Sequence, residues 1–338
     1  MSAGLTARRL VLGLLGCALV LAVAVGVSLL LGSVRVDPAE VWAALRDPSR
    51  RPGNLHYTIV IGQRLPRVLL GLLVGGGLGL CGASFQALLR NPLADPYTLG
   101  VASGSALGAS LALAAKWSLQ VGPFGGVQVA ALLGGLAVTA VIWRIGVVRR
   151  EFRVESLLLG GVTVALVTSS AIIVIRTLAD PHFLVTLDRW LLGSLAAALP
   201  RDSWSLLPFL LVGGLPLLAL GPAFNQLALG EELAHGRGIN AGRVQVWTFL
   251  AASLVTAGTV SVAGPIGFVG LIVPHAVRSI WGPDHRLLLP GSALVAGGFL
   301  LLCDTLARTV VAPTEMPVGV VTAVIGGPVF LLLLWRRR

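Results

Sequence analysis

Residues 64–104 read RLPRVLLGLLVGGGLGLCGASFQALLRNPLADPYTLGVASG, and the fold turns on how this stretch is read. Two arginines bracket Leu65-Pro66, a Gly-rich apolar run follows, Asn91-Pro92 halts it, and Asp95-Pro96 restarts it. The pattern predicts a membrane helix, a tight turn and a second membrane helix running back. Glycines 71, 75, 76, 77, 79 and 82 let neighbouring backbones approach closely, which helix packing in lipid requires because no hydrophobic force drives it there. Pro92 removes a backbone donor and biases Asn91 away from helical angles, so the first helix ends there. Asp95 is placed to cap the next helix, with Pro96 at its first position.

The composition around this hairpin is that of a polytopic, all-α membrane protein. Of 338 residues, 56% are hydrophobic and 12% charged, with 43 glycines, and the mean hydropathy is +0.90. A helix needs about 20 apolar residues to cross a hydrocarbon core of about 30 Å. Ten stretches qualify, at 10–32, 68–89, 97–115, 121–143, 156–175, 204–221, 244–263, 265–281, 287–303 and 317–335. An even number puts both termini on one side. Arg8 and Arg9 before the first span, with Arg336, Arg337 and Arg338 after the last, place that side in the cytoplasm. The first apolar run, 10–31, exceeds the roughly 7–15 residues of a secretion signal, so it is kept as a membrane helix. Cys17, Cys81 and Cys303 all fall within apolar spans, so neither a disulfide framework nor a metal site is expected.

The net charge of +11 comes almost wholly from arginine. In this topology residues 33–63 form an external segment in which Asp37-Pro38 starts a short interfacial helix. Arg35, Arg46, Arg50, Arg51, Arg64 and Arg67 then make a basic rim against Asp37, Glu40 and Asp47, suited either to lipid headgroups or to an acidic partner. Arg144, Arg149, Arg150 and Arg153 form a cytoplasmic cluster after the fourth span. Residues 180–200 contain WLLGSLAAAL, too short to cross, which reads as an external surface helix. Residues 222–243 form the longest cytoplasmic loop. Within it Leu227, Leu229, Leu233 and Ala234, with Glu231, Glu232 and Arg237, suit a short amphipathic helix ended by Gly236 or Gly238, able to anchor at the surface or dock a soluble partner. Glycines 264, 267 and 270 should line one helix strip, Pro274 should break that helix before His275, and Asp304 should pair with Arg308 one turn away.

The chemistry is narrow. The single lysine, Lys116, lies in no phosphate-binding loop, no HExxH or triad pattern occurs, and the histidines are scattered, so an enzyme is not indicated. No cofactor and no nucleic-acid partner are called for. Ion-coupled transport needs ionisable groups near the midplane, and the span centres hold almost none, which weighs against a stand-alone secondary transporter.

Several motifs, in order, carry a resemblance: RLPR (64–67), FQALLRNPLADPYTLGVASGSALGA (85–109), LLLGG (157–161), WLLGSL (190–195), LALGEELA (227–234), GPIGFVGLIVPH (264–275), GPDHRLLLP (282–290), DTLAR (304–308) and EMPVGVVTAVIGGPVF (315–330). Together they resemble the permease subunits of bacterial ABC importers for iron-siderophores, haem and cobalamin. The resemblance implies one transmembrane permease domain over 1–338, a homodimer in the inner membrane with the path at its interface, two cytoplasmic ATPase copies and one external binding protein. It also implies roles. Arg64, Arg67 and Arg308 match external arginines that receive glutamates of the binding protein. Leu227, Ala228, Leu229, Gly230, Glu231, Glu232, Leu233 and Ala234 match the element that couples to the ATPase. Asn91, Leu93, Val154 and Glu155 match gate positions, with a charged Glu155 departing from the small hydroxyl residues of the cobalamin branch.

Overall fold

The computed structural model describes residues 6–34, 36–46, 55–148, 151–152, 154–196 and 198–335. Arg35, Asp47, Arg50, Arg51, Arg149, Arg150, Arg153 and Arg336–Arg338 therefore lie outside the described residues. Every one of the ten apolar stretches contains a helix. Among the described residues, seven helices are long and apolar enough to cross a membrane: α1 (Ala7–Leu30), α3 (Thr58–Leu88), α5 (Gly126–Gly146), α6 (Val154–Leu178), α8 (Pro200–Ala219), α11 (Ala241–Ala263) and α13 (His285–Thr309). Three apolar helices are shorter, α4 (Val101–Ala114), α12 (Val269–Trp281) and α14 (Val318–Trp335). Peripheral elements are α2 (Pro38–Arg46), α7 (Pro181–Leu191), α9 (Gly221–Leu227), α10 (Glu231–Gly236) and two small antiparallel hairpins, β1 (Gln120–Val121) with β2 (Phe124–Gly125) and β3 (Val147–Val148) with β4 (Glu151–Phe152).

The structure corrects the sequence reading in four places, each with a local cause. First, α3 starts about ten residues earlier than the apolar run, so the end of the segment read as external and polar is helical. Its opening part, Thr58–Arg64, is π-helical, with Leu65 N–H bonding back to the Val60 carbonyl. A proline ring clashes with the carbonyl four residues back, and the wider π register moves that carbonyl aside just ahead of Pro66. The same device recurs at Leu210–Gly214, where Leu215 N–H bonds the Leu210 carbonyl ahead of Pro216. Second, the return helix does not start at Pro96. Pro96–Leu99 form a 3-10 turn capped by Asp95, whose carboxylate accepts from Tyr97 N–H at 2.8 Å, and Gly100 at φ 74° separates that turn from α4.

Third, WLLGSLAAAL is not a helix as a unit. Helix α7 ends at Leu191, inside the motif, Gly193 takes φ 68°, and the chain beyond it meets the end of α11, with Ser194 N–H donating to the Ala263 carbonyl at 2.9 Å. Fourth, residues 264–268 are not helical, so Gly264 and Gly267 share no strip with Gly270, while Pro274 sits inside a continuous α12. Pro274 cannot bond the Gly270 carbonyl. Gln86 meets that orphan instead: its Nε2 donates to the carbonyls of Leu271 at 3.1 Å and Gly270 at 3.5 Å, and its Oε1 accepts from Arg278 Nη2 at 3.1 Å.

The expectation that held best is the glycine seam. Helix α3 is the centre of the bundle, lying against α11, α12 and α13. A Cβ at Gly75 or Gly79 would strike backbone of Ala296, Gly297 or Ser292 on α13, and one at Gly82 would strike the Gly270 carbonyl on α12. These contacts are backbone on backbone, where dispersion at short range replaces the missing hydrophobic drive. Six buried hydroxyls are paired within their own helices: Ser84, Ser110, Thr139, Thr248, Thr256 and Thr305 each donate to the carbonyl four residues back. Gly26 on α1, by contrast, has open space where a side chain would stand. Gly82→Leu is therefore expected to destabilise the bundle by about 1–3 kcal/mol or more, lowering the thermal midpoint in detergent, whereas Gly26→Leu leaves it unchanged. Equal midpoints for the two variants would rule out the seam.

Candidate functional site

The predicted site residues gather at the two ends of α3. At its start Arg64 and Arg67 face the end of antiparallel α13, which carries Asp304 and Arg308, and the end of α1. None of the three arginines is a surface group: Arg64 is 4% exposed, Arg67 8% and Arg308 5%. Arg67 grips Asp304 through Nε (2.9 Å) and Nη2 (2.7 Å), and its Nη1 reaches Glu315 at 2.8 Å. The expected turn-to-turn pair is present: Arg308 Nε lies 3.1 Å from Asp304 Oδ2, off the line of a hydrogen bond, so that contact is ionic. Arg308 Nη2 donates to Ser28 Oγ at 2.9 Å. Arg64 donates to the carbonyls of Leu29, Leu30 and Val34, closing the last turn of α1. A cavity of about 590 Å³ opens beside the three guanidinium groups and Glu315.

These contacts change the meaning of the basic rim. Arg64 and Arg67 are structural ties as well as candidate docking groups, and Arg46 is occupied above the Trp42 ring at 4.4 Å. Reversing Arg67 to glutamate would set it against Asp304 and Glu315 inside the bundle. Sequence spacing had no means of finding the Arg67–Asp304 pair, since the two lie 237 positions apart.

At the far end of α3 the chain turns through Arg90, at φ 47°, into Asn91-Pro92-Leu93, with Asn91 Oδ1 accepting from Leu93 N–H at 2.9 Å. Asn91 and Leu93 are exposed; Val154 is half-buried and Glu155 exposed in the first turn of α6. The structure thus leaves all four gate candidates accessible without linking the pairs. The loop 222–243 lies at this same end. The single amphipathic helix expected over LALGEELA is two helices, α9 and α10, broken at 228–230 where Gly230 takes φ 117° and ψ 152°. A side chain is strained at such angles, so glycine is required. Leu227 and Ala234 point inward, while Leu229 (56% exposed) and Leu233 (60%) stand outward beside Glu231 and Glu232. α10 ends at Gly236 as expected. Glu231 bridges to Arg90 at 3.0 Å, a link the sequence reading missed. Nearby, Arg286 (2.7 Å) and Asn225 (2.8 Å) hold the Asp284 carboxyl down at about 2.

Between the two ends, the buried charged residues of the described spans (Arg64, Arg67, Asp202, Asp304 and Arg308) all sit near helix ends. No cluster of three or more potential metal ligands occurs among the described residues.

Residues 19–336 match the model of the FecCD transport family. The chain is 38% identical to the hemin transport system permease protein HmuU of Yersinia pestis, over 98% of this chain and 96% of that one. It is 43% identical to the cobalamin import system permease protein BtuC of Halobacterium salinarum, over 83% of this chain and 74% of that one. Its fold matches a solved transporter described as of the metal-chelate ABC type, in an inward-facing conformation, with a TM-score of 0.83 at 32% identity, covering 96% of this chain and 98% of that one.

The Arg67–Asp304–Arg308 cluster yields a sharp expectation. Asp304→Asn leaves two arginines buried beside a neutral amide, an uncompensated charge that costs about 3–5 kcal/mol, whereas Glu315→Gln removes a carboxylate that is 35% exposed and costs far less. Thermal melting of the two purified variants should rank them in that order, and the reverse ranking would overturn the account.

Proposed function

The chain belongs to the FecCD transport family, and from that premise we propose that it is the membrane subunit of an ABC importer that passes an iron chelate, a ferric siderophore or haem, inward from an external binding protein. It is a permease and not the hydrolytic subunit; ATP hydrolysis falls to a soluble partner. The reading extends to one permease domain over 1–338 in the inner membrane, crossing ten times with both termini in the cytoplasm. Two copies pair to form the path.

The observation that carries the proposal is the division of labour along α3. One end holds three arginines with two carboxylates beside an open cavity. The other holds Leu229 and Leu233, exposed on a polar loop and ion-paired through Glu231 to the turn after α3. Acidic residues of the binding protein would meet Arg64, Arg67 and Arg308, and the ATPase would seat Leu227–Ala234. ATP binding would then switch the gate at Asn91, Leu93, Val154 and Glu155 between two states biased by a partner at each end. Span centres without ionisable groups support an external energy source over a stand-alone secondary transporter. Cobalamin is the second substrate to test, because one relative at 43% identity is named as a cobalamin permease.

Uptake of labelled ferric siderophores, haem and cobalamin by a strain lacking this chain separates these readings. Loss of siderophore or haem uptake alone is expected; loss of cobalamin uptake alone would move the protein to the second reading, and transport by the isolated chain in liposomes without ATPase would sink both. For the coupling element, Gly230→Ala adds only backbone strain of about 1–3 kcal/mol, whereas Gly230→Trp also adds bulk. Co-purification of the ATPase should fall with alanine and vanish with tryptophan. A fully assembled complex carrying tryptophan would remove the coupling role.

A further inference from the structure

One short turn touches the elements that carry both pairs of gate candidates. It is the 3-10 turn Pro96–Leu99, which follows closely on Asn91 and Leu93. On one side it lies against α6, the helix that opens with Val154 and Glu155: a Cβ at Gly161 would strike the Thr98 carbonyl oxygen at 2.5 Å and the Leu99 Cα at 2.9 Å. On another side it lies against the start of α12, where a Cβ at Gly270 would meet the Pro96 ring at 2.7 Å.

Tyr97 ties this turn to the helical break 264–268. Its hydroxyl accepts from Ile266 N–H at 2.8 Å, across 169 positions of sequence. Ile266 is 1% exposed, and a buried N–H outside a helix has to find its partner elsewhere. The phenol is carried on a fixed base, because the Asp95 carboxylate accepts from the Tyr97 N–H at 2.8 Å.

The segment that Tyr97 reaches is strained. Phe268, its last residue, takes φ 69°, a left-handed conformation that bulky side chains seldom adopt. Its side chain lies against α14, where a Cβ at Gly326 would strike the Phe268 Cβ at 2.6 Å. Such strain persists only where the surroundings over-determine it, and it gathers in elements that switch. The Tyr97 bond is one of the contacts that hold this segment. We propose that Tyr97 is a positioning residue for the gate, its hydroxyl latching the turn 89–99 to the segment 264–268 so that the two gate pairs change state together. The proposal rests on the importer reading, which supplies the gate. Loss of the hydroxyl frees the strained segment to relax and the turn to move against α6, whereas a bond that served only to satisfy Ile266 would affect stability alone.

The test places nitroxide spin labels on Leu93→Cys and Glu155→Cys, both exposed positions, in the purified full-length chain with and without its ATPase, and reads the distance between them by pulsed electron paramagnetic resonance. Cys17, Cys81 and Cys303 are buried, so the two new thiols are the ones labelled. With Tyr97 in place, trapping the ATPase with ATP and vanadate should shift the distance distribution as one. Tyr97→Phe keeps the ring and removes the bond, and it should raise the minor population present without nucleotide about fivefold, the value of one hydrogen bond. Thr139→Val, which removes a buried hydrogen bond inside α5, should lower the thermal midpoint and leave the distances alone. An unchanged distribution in Tyr97→Phe, an equal change in Thr139→Val, or failure of Tyr97→Phe to fold would make the bond a structural tie and overturn the latch. If no ATPase co-purifies with the chain that retains Tyr97, the importer reading fails instead, and the nucleotide-free comparison still decides whether the turn and α6 move together.

Discussion

Along one seam α3 lies backbone to backbone against α12 and α13, and the remaining structure depends on that contact. In hydrocarbon, helices gain nothing from hiding apolar side chains from apolar lipid, so association rests on dispersion and on leaving no polar group unpaired. Gly75, Gly79 and Gly82 permit the approach. The approach in turn solves a second problem, since the Gly270 carbonyl that Pro274 strands lies where Gln86 of α3 can reach it. One helix thus supplies both the smooth surface and the donor. In the same way π turns before Pro66 and Pro216 let proline stand in long helices without an unpaired break.

Electrostatics is confined to the ends by the same economy. Asp304, with no exposed surface, is tolerable only because Arg67 wraps it and Arg308 lies alongside. Such buried pairs add little net stability against an apolar core, yet breaking one is costly, so they fix which residues stand opposite one another. Here the pairing sets α3 against α13, and Arg64, bonding the last carbonyls of α1, sets α1 against both.

The sequence disclosed what depends on local chemistry. The hydrophobic lengths located the seven long apolar helices of the described residues and three shorter ones, the glycines of 64–104 announced the seam, Asp95 announced a cap, and Asp304 with Arg308 announced an ion pair at helical spacing. It concealed what depends on distant partners. Nothing near Arg67 names Asp304 or Glu315, and nothing near Glu231 names Arg90, so Arg64 and Arg67 read only as members of a rim when they also tie the interior. Proline misled in both directions. Pro274 reads as a helix break but is rescued by Gln86, whereas the actual breaks, at 264–268 and 228–230, fall where Gly264 and Gly230 adopt positive φ, the first of them pressed against the backbone of Trp190 and Gly193. Apolarity likewise overstated α7, because the helix stops at Leu191 and Ser194 is bonded to the end of α11.

Under the importer reading, this division between seam and breaks limits where motion can occur. Backbone contacts such as Gly82 on Gly270 do not slide, since any shift drives a carbonyl into a Cα; packed interfaces of this kind hold or jump. Rearrangement is more readily absorbed where helical register is already lost, as at the turn 89–95, the loop 228–230 and the segment 264–268. The first two are joined by Arg90 and Glu231, an exposed pair worth little in stability. On the proposed assignment of gate and coupling loop, a weak link suits a switching element, because it would transmit displacement from the loop to the turn 89–95 without holding either in one state. The strong pairs, around Asp304, sit at the opposite end, where the proposed docking of a partner would need the scaffold to stay closed.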